Sequence, residues 1–186
     1  MSHGATWNAS WPTWRAAAAD PVAITISPGT PGDVATGADI YRRSSTARRG
    51  GRPIPERRVA EVTASLRQSE GWFFIARDRD VPVGVLHAKP SRTKHGKGPL
   101  VFGQCYLYLL FVVPDRWSEG IGGALLDFVM ADAVQRGYSR MHLWTQDDNE
   151  RSHRLYESRD FVRTGRTDTA LSDPQITVSE WARDLV

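Results

Sequence analysis

The chain's most informative residues for chemistry are Gly120-Ile121-Gly122-Gly123. They follow an apolar stretch, Leu109-Leu110-Phe111-Val112-Val113-Pro114, and a short polar turn, and they open a helix-patterned run. A helix that starts on glycines presents unpaired N–H groups and the positive end of its dipole, which suit a pyrophosphate. The missing side chains let a ligand reach the backbone. Two other phosphate loops are excluded. A Walker A loop needs Gly-Lys-Ser/Thr where this chain has Gly122-Gly123-Ala124. The dinucleotide fingerprint needs a third glycine where Leu125 stands. A bare G-x-G before a helix also describes ordinary tight turns, so the reading needs a second motif.

That motif lies about 25 residues on. Leu143-Trp144-Thr145 reads as a strand; Asn149, Leu155-Tyr156-Glu157 and Asp160-Phe161 follow. Around these motifs the chain divides into an N-terminal arm, residues 1–20, and one domain, residues 21–186. The arm carries Trp7, Trp11 and Trp14 without strand or long helix periodicity. It reads as loosely ordered or, since three tryptophans are costly to leave in water, as docked on the body or on a second subunit.

In the domain, residues 22–27 alternate like a strand and residues 33–43 read as a short helix. Residues 49–55 form a Gly/Arg/Pro-rich loop, and residues 56–68 a helix with Val59, Val62 and Leu66 in register. Residues 72–77 and 81–88 form a hairpin about Arg79-Asp80. Residues 89–103 read as a long loop, a length that usually carries function or disorder. The unbroken apolar and aromatic run 105–113 reads as a strand buried on both faces. A helix over 120–135 carries the stripe Ile121, Leu125, Val129, Ala133 and stops at Gly137. Strand 139–146, helix 149–159 and strands 161–166 and 176–185 complete the order. Mixed strands with helices on both faces specify a three-layer α/β/α domain.

The strand–glycine loop–helix–strand–Asn–Tyr–Phe series resembles the GCN5-related N-acetyltransferase (GNAT) superfamily, most strongly over residues 105–166. The resemblance implies a mixed, mostly antiparallel sheet with a V-shaped cleft where strand 105–113 splays from strand 139–146. It implies acetyl-coenzyme A as cofactor. Backbone groups of Phe111, Val112 and Val113 would meet the pantetheine arm. The N–H groups of Trp117, Ser118, Glu119, Gly120, Ile121, Gly122 and Gly123 would hold the pyrophosphate. Asn149 would approach the cofactor arm, and Tyr156 would protonate the leaving thiolate. The implied activity is acetyl transfer to a primary amine, of a small molecule first, with a protein N-terminus or lysine, or a non-catalytic acyl-CoA sensor, as alternatives. Members of the superfamily often form homodimers.

The sequence departs from the family pattern at five positions. Trp117 stands where Gln or Arg is usual, and Ser118 and Glu119 where Gly and a basic residue are common. Asp160 replaces the Gly of a Gly-Phe pair. The glutamate that many relatives carry as general base falls, counting back from Val112-Val113-Pro114, on Tyr106. Alternation puts Gln104, Tyr106 and Tyr108 on one face and Cys105, Leu107, Leu109 and Phe111 on the other. Tyr106, Tyr108, His142 and Trp144 are therefore the acceptor-lining candidates, with Glu70, His87, His142 and Glu180 as candidate bases. Cys105 reads as a core thiol, which points to direct transfer in a ternary complex.

Bulk composition sets the frame. The 186 residues have a formal net charge of +3 and a pI of about 9.3. That mild basicity suits an anionic cofactor and falls short of a nucleic-acid-binding face. Arg42, Arg43, Arg48, Arg49, Arg52, Arg57 and Arg58 cluster as a solvated face. One cysteine permits neither an intrachain disulfide nor a cysteine zinc cluster, and no metal site is expected. The sequence shows no membrane-length apolar run and no signal-peptide pattern, so the sequon at Asn8 has no secretory context, and a cytoplasmic location is expected.

Overall fold

The computed structural model describes residues 24–170 and 173–186. The tryptophan-bearing arm and the first two positions of the expected opening strand lie outside them. Seven strands form one sheet: β1 (Ile24–Pro28), β2 (Trp72–Asp78), β3 (Val81–Arg92), β4 (Leu100–Val112), β5 (Arg140–Gln146), β6 (Val162–Ala170) and β7 (Asp173–Asp184). Their order is β1-β2-β3-β4-β5-β7-β6. Every neighbouring pair is antiparallel except β4–β5. The helices are α1 (Val34–Arg48), α2 (Glu56–Arg67), the single turn α3 (Thr93–Gly96), α4 (Ile121–Gln135) and α5 (Glu150–Glu157).

Two glycines show how the layers close. A Cβ on Gly37 of α1 would meet Leu66 of α2, Val85 of β3 and Ile75 of β2, while one on Gly84 would lie 2.8 Å from Leu125 of α4. Val85 and Gly84 are successive strand residues and point to opposite faces. So α1 and α2 cover one side of the sheet and α4 the other, which is the expected three-layer arrangement. Val62, Ile75, Val85, Leu86, Leu125, Leu126, Val129 and Met141 are buried in the core between them.

The parallel pair is the structural key to the site. It holds register only over Gln104↔Arg140, Cys105↔Met141 and Tyr106↔His142. Beyond Tyr106 the two strands splay apart, as the V-shaped cleft requires.

Four sequence expectations need correction. Residues 89–103 are not a long loop: β3 runs on to Arg92, α3 follows, and β4 starts at Leu100. Lys89, Ser91 and Arg92 line the cleft, so polar composition there marks a cleft-facing strand. The turn closes through Thr93 N–H to Pro99 O at 3.0 Å and Gly98 N–H to Thr93 O at 2.9 Å. Second, β4 is not buried on both sides. Cys105, Leu107 and Leu109 are buried; Tyr106, Tyr108, Leu110, Phe111 and Val112 are half-buried. The apolar run is continuous because the stretch from Tyr106 to Val112 walls the cleft while Cys105, Leu107 and Leu109 are also buried.

Third, β4 does not alternate throughout. Its register with β3 passes from His87↔Leu109 to Ala88↔Leu107, so Tyr108 is the extra residue of a bulge. The bulge moves Phe111, paired with Val85, to the α1 side, where its ring meets Tyr41 edge-on at 5.0 Å. Helix α1 also outruns its expected end at residue 43, because buried Ser44 and Ser45 carry it on to Arg48.

Candidate active site

A cleft of about 760 Å³ opens where β4 and β5 diverge. Of the expected site residues, Phe111, Val112, Trp117, Gly122, Asn149 and Tyr156 line it, and so do Tyr106, Tyr108, His142 and Trp144. Val113 and Ile121 lie in the core, and Val113 N–H is engaged by Val83 O at 2.9 Å. Ser118, Glu119, Gly120 and Gly123 shape the loop without side chains on the cleft wall.

The loop geometry follows from backbone conformation. Proline at 114 ends β4 and starts a single 3-10 turn over Pro114–Arg116. Ser118 then takes φ +68° and Gly120 φ +83°, both left-handed, and α4 begins. The first intrahelical bond is Ala124 N–H to Gly120 O at 3.0 Å, so the N–H groups of Ile121, Gly122 and Gly123 have no partner within the helix. A Cβ on Gly122 would meet nothing nearer than Leu155 at 3.5 Å, which keeps that turn approachable.

The sequence departures resolve in the same geometry. Glu119 is drawn away by Arg116, whose Nε donates to its carboxylate at 2.6 Å while Nη1 donates to Asp78 at 2.8 Å. Ser118 and Asp160, which stand where the family pattern has glycine, both keep a left-handed backbone (Asp160 φ +57°). Trp117 donates its indole N–H to Val112 O at 2.8 Å and carries the Arg151 guanidinium 4.1 Å above its ring. The Val112 carbonyl is thus taken by the protein itself.

Asn149 caps α5, accepting from Ser152 N–H at 3.4 Å, with its amide 3.5 Å from Thr145 Oγ1. Two turns on, Tyr156 is buried, its ring tilted against Phe161 and Trp181. Burial pushes its hydroxyl well above the ordinary phenol range, opposed by a hydrogen bond with Ser152. Tyr156 therefore holds its proton at neutral pH.

The other end of the cleft is built from side chains. Tyr106 and Tyr108 meet edge to face with ring centroids 5.9 Å apart, and the Lys89 ammonium lies 4.4 Å over the Tyr108 ring. The His142 ring lies 4.9 Å from that of Tyr106. Its Nδ1 is 3.0 Å from Glu180 Oε1 and its Nε2 2.9 Å from Ser91 Oγ. Burial lowers the His142 pKa, with Glu180 acting in the opposite direction.

Among the candidate bases, His87 is buried beside Ser65 (3.4 Å) and does not line the cleft. Glu70 is held by Arg92 at 2.8 Å. Cys105 is fully buried, and desolvation pushes its thiol up to about 12, so it has no nucleophilic form near neutral pH. Sequence reasoning missed Ser91, Lys89 and Arg151. Ser91 and Lys89 fell in the stretch read as a loop, and an arginine two residues past a helix cap carries no signal of its own. The clustered arginines spread out over separate partners: Arg42 on Glu56, Arg43 on Asp115, Arg48 on Asp148 and Arg58 on Glu61. No helix among the described residues is long and apolar enough to cross a membrane.

Comparison with known proteins agrees with the fold. The model of the "Acetyltransferase (GNAT) family" matches residues 38–161. A mycothiol acetyltransferase of Geodermatophilus obscurus is 32% identical over 103 residues, covering 53% of this chain and 32% of its own. The matched stretch spans about a third to a half of the length of such curated relatives. Two solved structures share the fold. The Escherichia coli ribosomal-protein-S18-alanine N-acetyltransferase has a TM-score of 0.67 at 19% identity, over 87% of this chain and 94% of its own. The yncA protein of Salmonella typhimurium, solved with its cofactor acetyl-CoA, has 0.65 at 18%, over 88% and 94%.

Proposed function

Since the chain belongs to the GNAT acetyltransferase family and is an acyltransferase, we propose that it transfers an acetyl group from acetyl-CoA to a primary amine of a small molecule, directly, within a ternary complex. The observation that carries this reading is convergence. Gly122 in the first turn of α4, the Arg151 cation and the protonated Tyr156 all line the cleft that opens where β4 leaves β5.

These residues suit the cofactor's chemistry. Three N–H groups at a helix start, with the Arg151 cation held over Trp117 in the same cleft, suit a pyrophosphate. The edge of β4 beyond Tyr106, which has no strand partner on the β5 side, suits an extended amide-bearing arm. When bound, the cofactor supplies an activated thioester. Trp117 fixes the end of β4, Asn149 holds the start of α5, and Tyr156 keeps a proton at the place the family resemblance gives to the leaving sulfur. The acceptor end is walled by α3 and by β6 and β7 as well as by the Tyr106–Tyr108 strand, which favours a small amine.

Release of thiol from acetyl-CoA, measured with small amines, spermidine and short peptides with free N-termini, tests this reading. Amine-dependent release with small amines is the expected result. Release with peptides alone would move the reading to a protein acetyltransferase. Binding of acetyl-CoA without turnover on any amine would make the domain a sensor.

A further inference from the structure

Resting on the acetyltransferase reading, we propose that Ser91, His142 and Glu180 form a three-residue proton relay that accepts the proton of the acceptor amine, in place of a carboxylate on β4. Each residue comes from a different strand: Ser91 from β3, His142 from β5 and Glu180 from β7. All three are buried side chains on the cleft wall.

The hydrogen bonds fix direction. Glu180 accepts from Thr164 Oγ1 at 2.8 Å and from Arg166 at 3.2 and 3.3 Å. A carboxylate so placed can only accept, so His142 Nδ1 carries the ring proton and donates to Glu180 at 3.0 Å. Nε2 is then the basic nitrogen, and the Ser91 hydroxyl must donate to it at 2.9 Å. The Ser91 lone pairs are left to receive a proton from the cleft.

Position supports the role. Tyr106 occupies the place of the usual glutamate, and His142 is its register partner across the parallel pair, ring against ring. Tyr106, Tyr156 and Glu180 line the same cleft, so the relay and the proposed acid share one wall.

The transfer balances. The amine lone pair forms the new C–N bond as the C–S bond breaks. Tyr156 gives its proton to the departing sulfur. Ser91 takes the proton from nitrogen and passes its own to His142 Nε2. The imidazolium beside Glu180 and the Tyr156 phenolate return to their starting states by exchange with solvent.

The charged and titratable groups facing His142 are Glu180 on β7, Arg166 on β6, Arg140 on β5, and Tyr106 on β4 with Lys89 of β3 over its ring. Burial and the two arginines favour neutral imidazole; Glu180 favours the imidazolium. Activity should therefore be lost as pH falls through the His142 pKa.

The test is the pH dependence of kcat/KM for the intact chain, wild type against His142→Gln, Glu180→Gln and Ser91→Ala. Each is measured with spermidine and with a peptide α-amine, whose own ionisations differ. Alongside, the imidazole of His142 is titrated by NMR, and acetyl-CoA binding is measured by calorimetry. The relay predicts an acid limb that stays in place when the amine is changed and coincides with the NMR titration of His142. His142→Gln removes that limb and lowers kcat about 100-fold with acetyl-CoA affinity intact. Glu180→Gln moves the limb to lower pH, because the group favouring imidazolium is gone. Ser91→Ala lowers kcat about 10-fold and keeps the limb, and it decides the matter with the NMR titration if the other two do not fold. Turnover with an unmoved limb in His142→Gln, or full activity in Ser91→Ala, overturns the relay alone. Acetyl-Ser91 in the mass spectrum after acetyl-CoA alone overturns it too, by making Ser91 a nucleophile. No turnover on any amine overturns the acetyltransferase reading and the relay with it.

Discussion

The two ends of the cleft are made of different materials. The end assigned to the cofactor is built from backbone: free N–H groups at the start of α4, left-handed turns at Ser118 and Gly120, and a strand edge beyond Tyr106. The acceptor end is built from side chains on β3, β4, β5 and β7, several of them buried and polar. A backbone site tolerates substitution as long as the path of the chain is kept. That is why Trp117-Ser118-Glu119 can depart from the family pattern while the turn survives. A side-chain site has no such slack, because each buried polar group needs its own partner.

The largest expected effect probes the junction of the two ends. Tyr156→Phe removes the proposed proton donor while keeping the ring between Phe161 and Trp181. It should lower kcat about 1000-fold with little change in acetyl-CoA affinity, as read by thiol release and calorimetry. Equal losses in kcat and affinity would make Tyr156 a packing residue instead.

Next in size is a pH effect on the acceptor side of the core. Burial pushes the pKa of His87 down from 6.5 to about 4, so the unfolded chain binds more protons than the folded one between these values. Stability is therefore full above about pH 6.5 and falls as pH drops toward 4, by roughly 3 kcal/mol at most. Denaturant unfolding at pH 7.5 and pH 5 should show this slope, and His87→Gln should flatten it.

At the cofactor end, Gly122→Asp puts a carboxylate beside the α4 N–H groups, where the fold has room for a Cβ. Acetyl-CoA should bind about 10-fold to 100-fold more weakly, with the melting temperature nearly unchanged. Unchanged affinity would mean that this helix start does not hold the pyrophosphate. The smallest effect is Ser118→Gly, which relieves a left-handed serine and should stabilise the fold by about 1 kcal/mol or less, with turnover unaltered.

This contrast also explains what could be read from the sequence. The cofactor end is written locally: proline, glycines and an apolar stripe in one segment specify strand, turn and helix, and Asn149 to Phe161 specify the next. The glutamate replaced by Tyr106 was visible by counting, and His142 and Glu180 stood among the candidate bases, but their union with Ser91 was not legible, since the three are brought together only by the strand order β3-β4-β5-β7. The bulge at Tyr108 left no mark in an unbroken apolar run, so simple alternation misplaced Leu109 and Phe111. The stretch after Lys89 looked like a loop because strand residues facing a wet cleft have loop-like composition.

The assigned cofactor placement is tested most directly by a crystal structure of the chain with coenzyme A. It predicts pyrophosphate oxygens within hydrogen-bonding reach, about 3 Å, of the N–H groups of Ile121, Gly122 and Gly123, and the sulfur beside the Tyr156 hydroxyl. Coenzyme A bound elsewhere, or bound there with its sulfur remote from Tyr156, would contradict it.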